Sequence, residues 1–301
     1  MARSRIGLAL GCGAARGWSH IGVIEALAEA GIVPDVVCGT SIGALVGAAQ
    51  VTGGLPALRD WARAATWREI VALVDIKLAG GGVVEGALVM QFLHNLGIDA
   101  AIEDLSTPYA AVATDLRTGR EVWLRAGPID TAVRAAIAMT DLFRRVRHEE
   151  SWLSDGGLAN PVLISVCRAL GAEVIIGVNL NGDLLGRRFE GPKETPANGN
   201  GPRSEFLTRA LANLPLPVRK QAAQLLRPGP SLPGYFDMLA NTININQDQI
   251  TRSHLAGGPP HVLLSPRLRD IGLMEFNRAA EAIAEGHACV EHAVPLLWRY
   301  I

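Results

Sequence analysis

Apolar residues along this chain fall into short unbroken runs alternating with helically spaced stripes. Ile6–Leu10 is a continuous apolar run closed by glycine, the pattern of a strand buried on both faces. Over Trp18–Ala30 the positions Ile21, Ile24, Leu27 and Ala28 recur at helical spacing, and Gly31 stops them. Val36–Cys38 reads as a second short strand and Ile42–Val51 as the next helix. Strand, helix and strand in such close succession form a βαβ unit, which is right-handed in nearly every case.

The rest of the chain continues the alternation. Three helices are expected at Ala57–Ala65, Trp67–Leu78 and Ala87–Leu96, broken by the Gly80–Gly82 triplet. Tyr109–Asp115 and Glu121–Leu124 read as strands turning at Thr118-Gly119. A helix follows at Thr131–Met139, and another at Asn160–Leu170 with Asn160 as cap and Pro161 in first position. Val174–Leu180 and His261–Ser265 are strands, and Tyr235–His254 and Met274–Trp298 are helices. Strands alternating with helices give an α/β fold with a mostly parallel, doubly wound sheet.

Composition narrows the class. The 301 residues are 49% hydrophobic and 19% charged, a globular balance, and suit one large domain or two smaller ones. A formal net charge of −1 gives no global attraction to nucleic acid. That charge is unevenly placed: residues 187–227 carry eight Lys/Arg and three Glu, so the rest of the chain holds −6. Residues 187–203, RRFEGPKETPANGNGPR, bury little apolar surface and read as a mobile insertion. Two amphipathic stretches follow, Glu205–Leu214 and Val218–Leu226. The expected organisation is a single domain over 1–301 with a basic insertion or cap at about 182–230. A helical closure from about 235 to 301 completes it.

Cys12, Cys38, Cys167 and Cys289 are scattered without metal-ligand spacing and are expected as free thiols in a reducing cytoplasm. Arg3, Arg5 and a short apolar run ending at Cys12 imitate a secretory signal, but the run is too short. No segment has the uninterrupted apolar length of a membrane span.

Two motifs carry chemistry. Gly39-Thr40-Ser41-Ile42-Gly43 lies between a strand and a helix, where a nucleophile elbow pushes a serine hydroxyl out of a tight bend. The glycines Gly39 and Gly43 let the backbones approach. Gly11-Cys12-Gly13-Ala14-Ala15-Arg16-Gly17 follows a strand and opens a helix, so its amides favour a developing oxyanion. Arg16 stands where a dinucleotide fingerprint needs glycine, and no Gly-Lys-Ser/Thr of a P-loop occurs. The base is less evident. His254, His261, His287 and His292 lack a supporting local pattern, and His20 and His94 lie on predicted helices. Ser154-Asp155-Gly156-Gly157 instead puts a carboxylate on a glycine turn, with Gly156 and Gly157 allowing close backbone passage.

LALGCGAARGWSHIGVIEAL, then GTSIG, then DGGLANPV, in this order, resembles the bacterial patatin-like phospholipases. The likeness is greatest to the RssA-type branch related to neuropathy target esterase, and covers residues 5–180 with a tail from about 260. The resemblance implies a three-layer α/β/α sandwich and a Ser-Asp dyad without histidine. Ser41 is then the nucleophile and Asp155 its general base, reaching it from the far side of the sheet. It also implies an oxyanion hole in which the Gly13 and Ala14 amides donate, Gly11 makes the turn and Arg16 braces the loop. Cys12 and Ala14 depart from the family's glycine run; Cys12 reads as a small loop residue, and Thr114-Asp115-Leu116…Gly119 as structural. The expected activity is hydrolysis of lipid carboxylic esters, of phospholipase A or lysophospholipase type. No metal or organic cofactor is implied. Expected partners are a lipid ester or phospholipid and, through the basic segment, peripheral contact with a membrane. The rival readings are an acyltransferase using the same acyl-enzyme and a non-catalytic regulator retaining the fold.

Overall fold

The computed structural model describes residues 3–66, 69–70, 87–138, 146–148, 151–184 and 235–301. The expected helix Trp67–Leu78, the break at Gly80–Gly82, the basic 187–227 segment and its two amphipathic stretches lie wholly or almost wholly outside these residues.

The chain forms a mixed, mostly parallel sheet between two layers of helices. Its strands are β1 (Ile6–Leu10), β2 (Val36–Thr40), β3 (Tyr109–Asp115), β4 (Glu121–Leu124), β5 (Val146–His148), β6 (Ser151–Asp155), β7 (Val174–Val178) and β8 (Val262–Leu264). The helices are α1 (Ser19–Glu29), α2 (Ile42–Thr52), α3 (Leu55–Ala64), α4 (Ala87–Asn95), α5 (Ile129–Ala136), α6 (Ile164–Ala169), α7 (Tyr235–Gly257) and α8 (Ala279–Leu297).

Strands β3, β2, β1, β7 and β8 run parallel in that order, with Leu8 of β1 between Val37 and Ile176. All five residues of β1 are buried, as an unbroken apolar run requires of a central parallel strand. Alternate side chains enter opposite layers. Leu8, Leu10, Val37, Ala111 and Ile176 join the core built with α1, α2 and α8. Ala9, Val36, Cys38, Val112 and Ile175 join the smaller core under α6. The chain adds β2 and β3 to one side of β1, and later β7 and β8 to the other. The loop after β1 therefore lies at the switch point beyond the strands' carboxyl ends, where open α/β sheets hold their ligands.

Three expectations change. Ser151–Asp155 is a strand, β6, and not only a glycine turn. The helix expected from Asn160 begins at Ile164, because the segment between closes against another loop. The chain after β1 first makes a 3₁₀ turn, Ala14–Trp18, so α1 starts at Ser19.

Strand β3 brings distant parts of the chain together. Its Tyr109–Val112 pair with β2, its Ala111–Thr114 with β4 and its Ala113–Asp115 with β6. A strand has two edges, and β4 occupies one of them along Ala111–Thr114. Strand β6 must therefore share the edge of β2, running toward it and stopping where it ends. Thr40 lies opposite Val112 and Asp155 opposite Ala113.

Candidate active site

Ser41 follows β2 and caps α2 with φ 54° and ψ −133°, a backbone conformation that L-residues other than glycine avoid. The bend is held by packing. A Cβ on Gly39 would lie 2.3 Å from the Gly43 carbonyl oxygen, and one on Gly43 would lie 2.2 Å from that of Leu10. The Ser41 amide donates to the carbonyl of Ala136, the last residue of α5, at 3.2 Å. The same stretch anchors Asp155, whose amide donates to Ala138 O at 2.7 Å.

Asp155 is 7% exposed and Ser41 8%, and the Ser41 hydroxyl lies near enough to the Asp155 carboxyl to favour its ionised form. Asp155 Oδ1 accepts from the Gly157 amide at 2.8 Å. Burial pushes the carboxyl up to about 6, with the nearby Ser41 hydroxyl and the Gly157 amide acting the other way. Gly156 permits the junction: a Cβ there would lie 2.1 Å from Val112 O and 2.5 Å from Thr40 Oγ1. Asp155 thus arrives on the neighbouring segment of one β3 edge and not from the far side of the sheet.

None of the histidines whose side chains are described hydrogen-bonds Ser41. His20 Nε2 bonds Gly11 O, His94 bonds Asp130, and His254 Nδ1 lies 3.3 Å from Asn160 Oδ1. His261 Nδ1 accepts from the Ile175 amide, His287 bonds Glu29, and His292 meets Ala288 O. His20 is fully buried, and burial lowers it to about 4, so it is a neutral brace of the glycine loop.

The loop's amides divide into structural donors and available ones. Gly11 N–H donates to Val178 O, Cys12 N–H to Pro161 O, Ala15 N–H to Leu273 O and Arg16 N–H to Gly13 O. The Gly13 and Ala14 amides have no partner among the described residues. Of the residues expected around an oxyanion, Gly11 and Cys12 therefore hold the loop in place. Ala14 adopts φ 47°, which glycine would take without strain.

The Pro161 carbonyl that receives Cys12 N–H belongs to the segment expected as helix, and this bond ties the glycine loop to the loop carrying Asp155. The two loops also touch where a Cβ on Gly157 would lie 2.8 Å from Cys12 Sγ. The Cys12 thiol is buried, and desolvation with the nearby Asp155 charge pushes it well above the ordinary thiol range. It stays protonated and unreactive. Arg16 is 1% exposed; burial lowers its guanidinium to about 10, which leaves it charged at neutral pH. Its Nε donates to Gly13 O at 3.3 Å and its Nη2 to Asn244 Oδ1 of α7 at 2.9 Å.

Away from the site, Asp115 accepts from Arg117 N–H, Thr118 Oγ1 and Ser151 Oγ, and so ties the β3–β4 turn to β6. Among the described residues no three His, Cys, Asp or Glu side chains gather as a metal site, and no helix is long and apolar enough to cross a membrane.

Residues 8–167 match the family model described as patatin-like phospholipase. The chain belongs to this family and is an enzyme of the lipid hydrolase class. It is 31% identical to an uncharacterized NTE family protein of Mycobacterium tuberculosis, over 96% of this chain and 91% of that protein. An uncharacterized NTE family protein of Mycobacterium bovis is 29% identical over 96% of this chain and 46% of its own length. Patatin-like phospholipase domain-containing protein 6 of Homo sapiens is 31% identical over 58% of this chain and 13% of that protein.

Two residues that contact the site loops have no local sequence motif. Asn244 and Gln247 of α7 reach the glycine loop and the loop after β7. The available signal is the density of Asn and Gln over 241–249, residues that are unremarkable helix formers and imply polar partners.

Proposed function

We propose that this enzyme hydrolyses carboxylic esters of lipids, of phospholipase A or lysophospholipase type, through a Ser41–Asp155 dyad and an acyl-enzyme. The observation that carries the reading is the pairing of the elbow hydroxyl of Ser41 with a buried carboxyl held near pKa 6. A carboxylate of that basicity is ionised at neutral pH, yet is a stronger base than an exposed aspartate. Ser41 Oγ attacks the ester carbonyl carbon while Asp155 accepts its proton. The carbonyl oxygen becomes an oxyanion facing the open Gly13 and Ala14 amides, and Arg16 supplies a nearby positive charge. As the tetrahedral adduct collapses, the leaving alcohol takes the proton from Asp155. The carboxylate then activates water against the acyl-Ser41 ester, and hydrolysis restores both groups.

A fluorophosphonate serine probe tests this on the folded protein. The expected result is one adduct on Ser41, absent in Ser41→Ala and formed much more slowly in Asp155→Asn. No adduct, or equal labelling of Asp155→Asn, contradicts the dyad.

A further inference from the structure

Helix α7 lies across the loops that carry the proposed chemistry. Asn244 Oδ1 accepts from Arg16 Nη2 at 2.9 Å, and Gln247 Oε1 accepts from Asn181 Nδ2 at 3.1 Å. Asn181 Nδ2 in turn lies 4.0 Å from Cys12 Sγ. His254 Nδ1, further along, stands 3.3 Å from Asn160 Oδ1 in the loop after Asp155. Positions 244, 247 and 254 share one helix face. One face of one helix thus contacts the glycine loop, the segment after β7 and the segment after Asp155.

The Asn244 contact bears on the oxyanion donors through peptide geometry. Gly13 C=O and Ala14 N–H belong to the same planar trans peptide, so they point in opposite directions. Fixing the carbonyl therefore fixes the amide. Gly13 O accepts two bonds, from the Arg16 amide at 3.1 Å and from Arg16 Nε at 3.3 Å. The second donor is charged and also polarises the peptide toward a stronger N–H. Arg16 makes no ion pair among the described residues. Asp183 also attracts it, without an ion pair, and the buried Asp183 Oδ1 has no hydrogen-bond partner among the described residues. A long side chain without a carboxylate clamp depends on its neutral acceptor for orientation, and that acceptor is Asn244.

We propose that Asn244 is a positioning residue: by holding the Arg16 guanidinium on Gly13 O, it aims the Ala14 amide at the developing oxyanion. This rests on the Ser41–Asp155 reading above. Loss of the acceptor leaves one nitrogen of a buried charge without its partner, and the charged restraint on the Gly13–Ala14 peptide loosens. The cost falls on the transition state, because the ester's ground-state carbonyl needs the amide less than the oxyanion does.

The test uses a soluble 4-nitrophenyl ester and the fluorophosphonate probe on the whole protein. Variants are Asn244→Ala, Asn244→Asp and the exposed-face control Gln249→Ala. Removal of an oxyanion donor outright costs on the order of a hundredfold or more in kcat. Asn244→Ala, which only loosens one, is expected to lower kcat about tenfold with KM within about twofold. Asn244→Asp keeps an acceptor and recovers most of kcat. Arg16→Met lowers kcat, and adding Asn244→Ala to it changes little further, because both act through one bond chain. Should Asn244→Ala fail to fold, as read by its melting curve, the Asn244→Asp rate and the Arg16→Met coupling with Asn244→Asp decide the matter. Wild-type kcat in Asn244→Ala, or additive losses with Arg16→Met, overturns the positioning role while Ser41 labelling stands. Wild-type protein that takes no Ser41 label overturns the dyad reading, and this inference with it.

Discussion

Thr40 and Asp155 meet end to end on one edge of β3, Thr40 opposite Val112 and Asp155 opposite Ala113. One strand runs into the elbow from below and the other descends to the same point, so Ser41 and Asp155, 114 positions apart, become neighbours. Their relative position is set by β-sheet hydrogen bonding, a stiffer scaffold than a free loop.

Gly156 closes that junction, and an added Cβ would meet Val112 O and Thr40 Oγ1. Gly156→Ala is expected to cost about 2 kcal/mol or more of stability and most of the activity, because β6 must move off β2. Gly119 is the contrast: its φ is +70° but no described residue stands within 4 Å of its Cβ direction. Gly119→Ala should lose about 1 kcal/mol and keep its kcat. Denaturant unfolding and ester hydrolysis on both variants check the pair; equal retention of activity would count against the junction.

The Asp155 carboxyl titrates at about 6, so kcat/KM should rise with pH through that value and level off above it. Stability runs the other way. The folded-state value is above the unfolded 3.8, so ionisation at this position costs folding energy as pH rises from about 4 through 6. Asp155→Asn removes that cost. The variant should be inactive yet more stable than wild type at pH 8, by on the order of 2 kcal/mol, with the advantage fading toward pH 4. A variant less stable than wild type at pH 8 would show that the carboxylate is better solvated than its burial implies.

Ser41 carries backbone strain at φ 54°, a cost of about 1–2 kcal/mol for a residue with a Cβ. Ser41→Ala and Ser41→Gly should be equally dead. Glycine relieves the strain but gives back about 0.5–1 kcal/mol of unfolded-chain entropy. The glycine variant should therefore unfold at the higher denaturant midpoint. Identical midpoints would mean that the elbow stores little strain.

Cys12 sits in the glycine loop with a thiol that burial and Asp155 keep protonated. Neither iodoacetamide treatment of the folded protein nor Cys12→Ser should reduce Ser41 labelling by more than about threefold, since the thiolate is the reactive form of cysteine. Rapid inactivation traced by mass to Cys12 would reverse that assignment.

Local patterns made the first half of the site legible. Ile6–Leu10 reads as a buried strand because its apolar run has no competing pattern, and GTSIG reads as an elbow because Gly39 and Gly43 flank a serine between strand and helix. Strand β6 was hidden: SWLSD mixes exposed Trp152 with buried Ser154 and Asp155, so neither alternation nor an apolar run marks it. Its place follows from register with β3, a non-local property. The Asn160-Pro161 pair suggested a helix start by its residue types, but the Pro161 carbonyl is taken by Cys12 N–H and the helix waits until Ile164. Asn244 was silent for a similar reason, since its partner Arg16 is 228 positions away.

In the proposed reaction Ser41 becomes acylated with Asp155 as its base. Acid-quenched mass spectrometry during turnover of a 4-nitrophenyl acyl ester tests it most directly. The expected result is one acyl group on the Ser41 peptide of wild type, none in Ser41→Ala, and a greatly slowed appearance in Asp155→Asn. Acylation of another residue, or acylation of Ser41 at the wild-type rate without the Asp155 carboxylate, would contradict it.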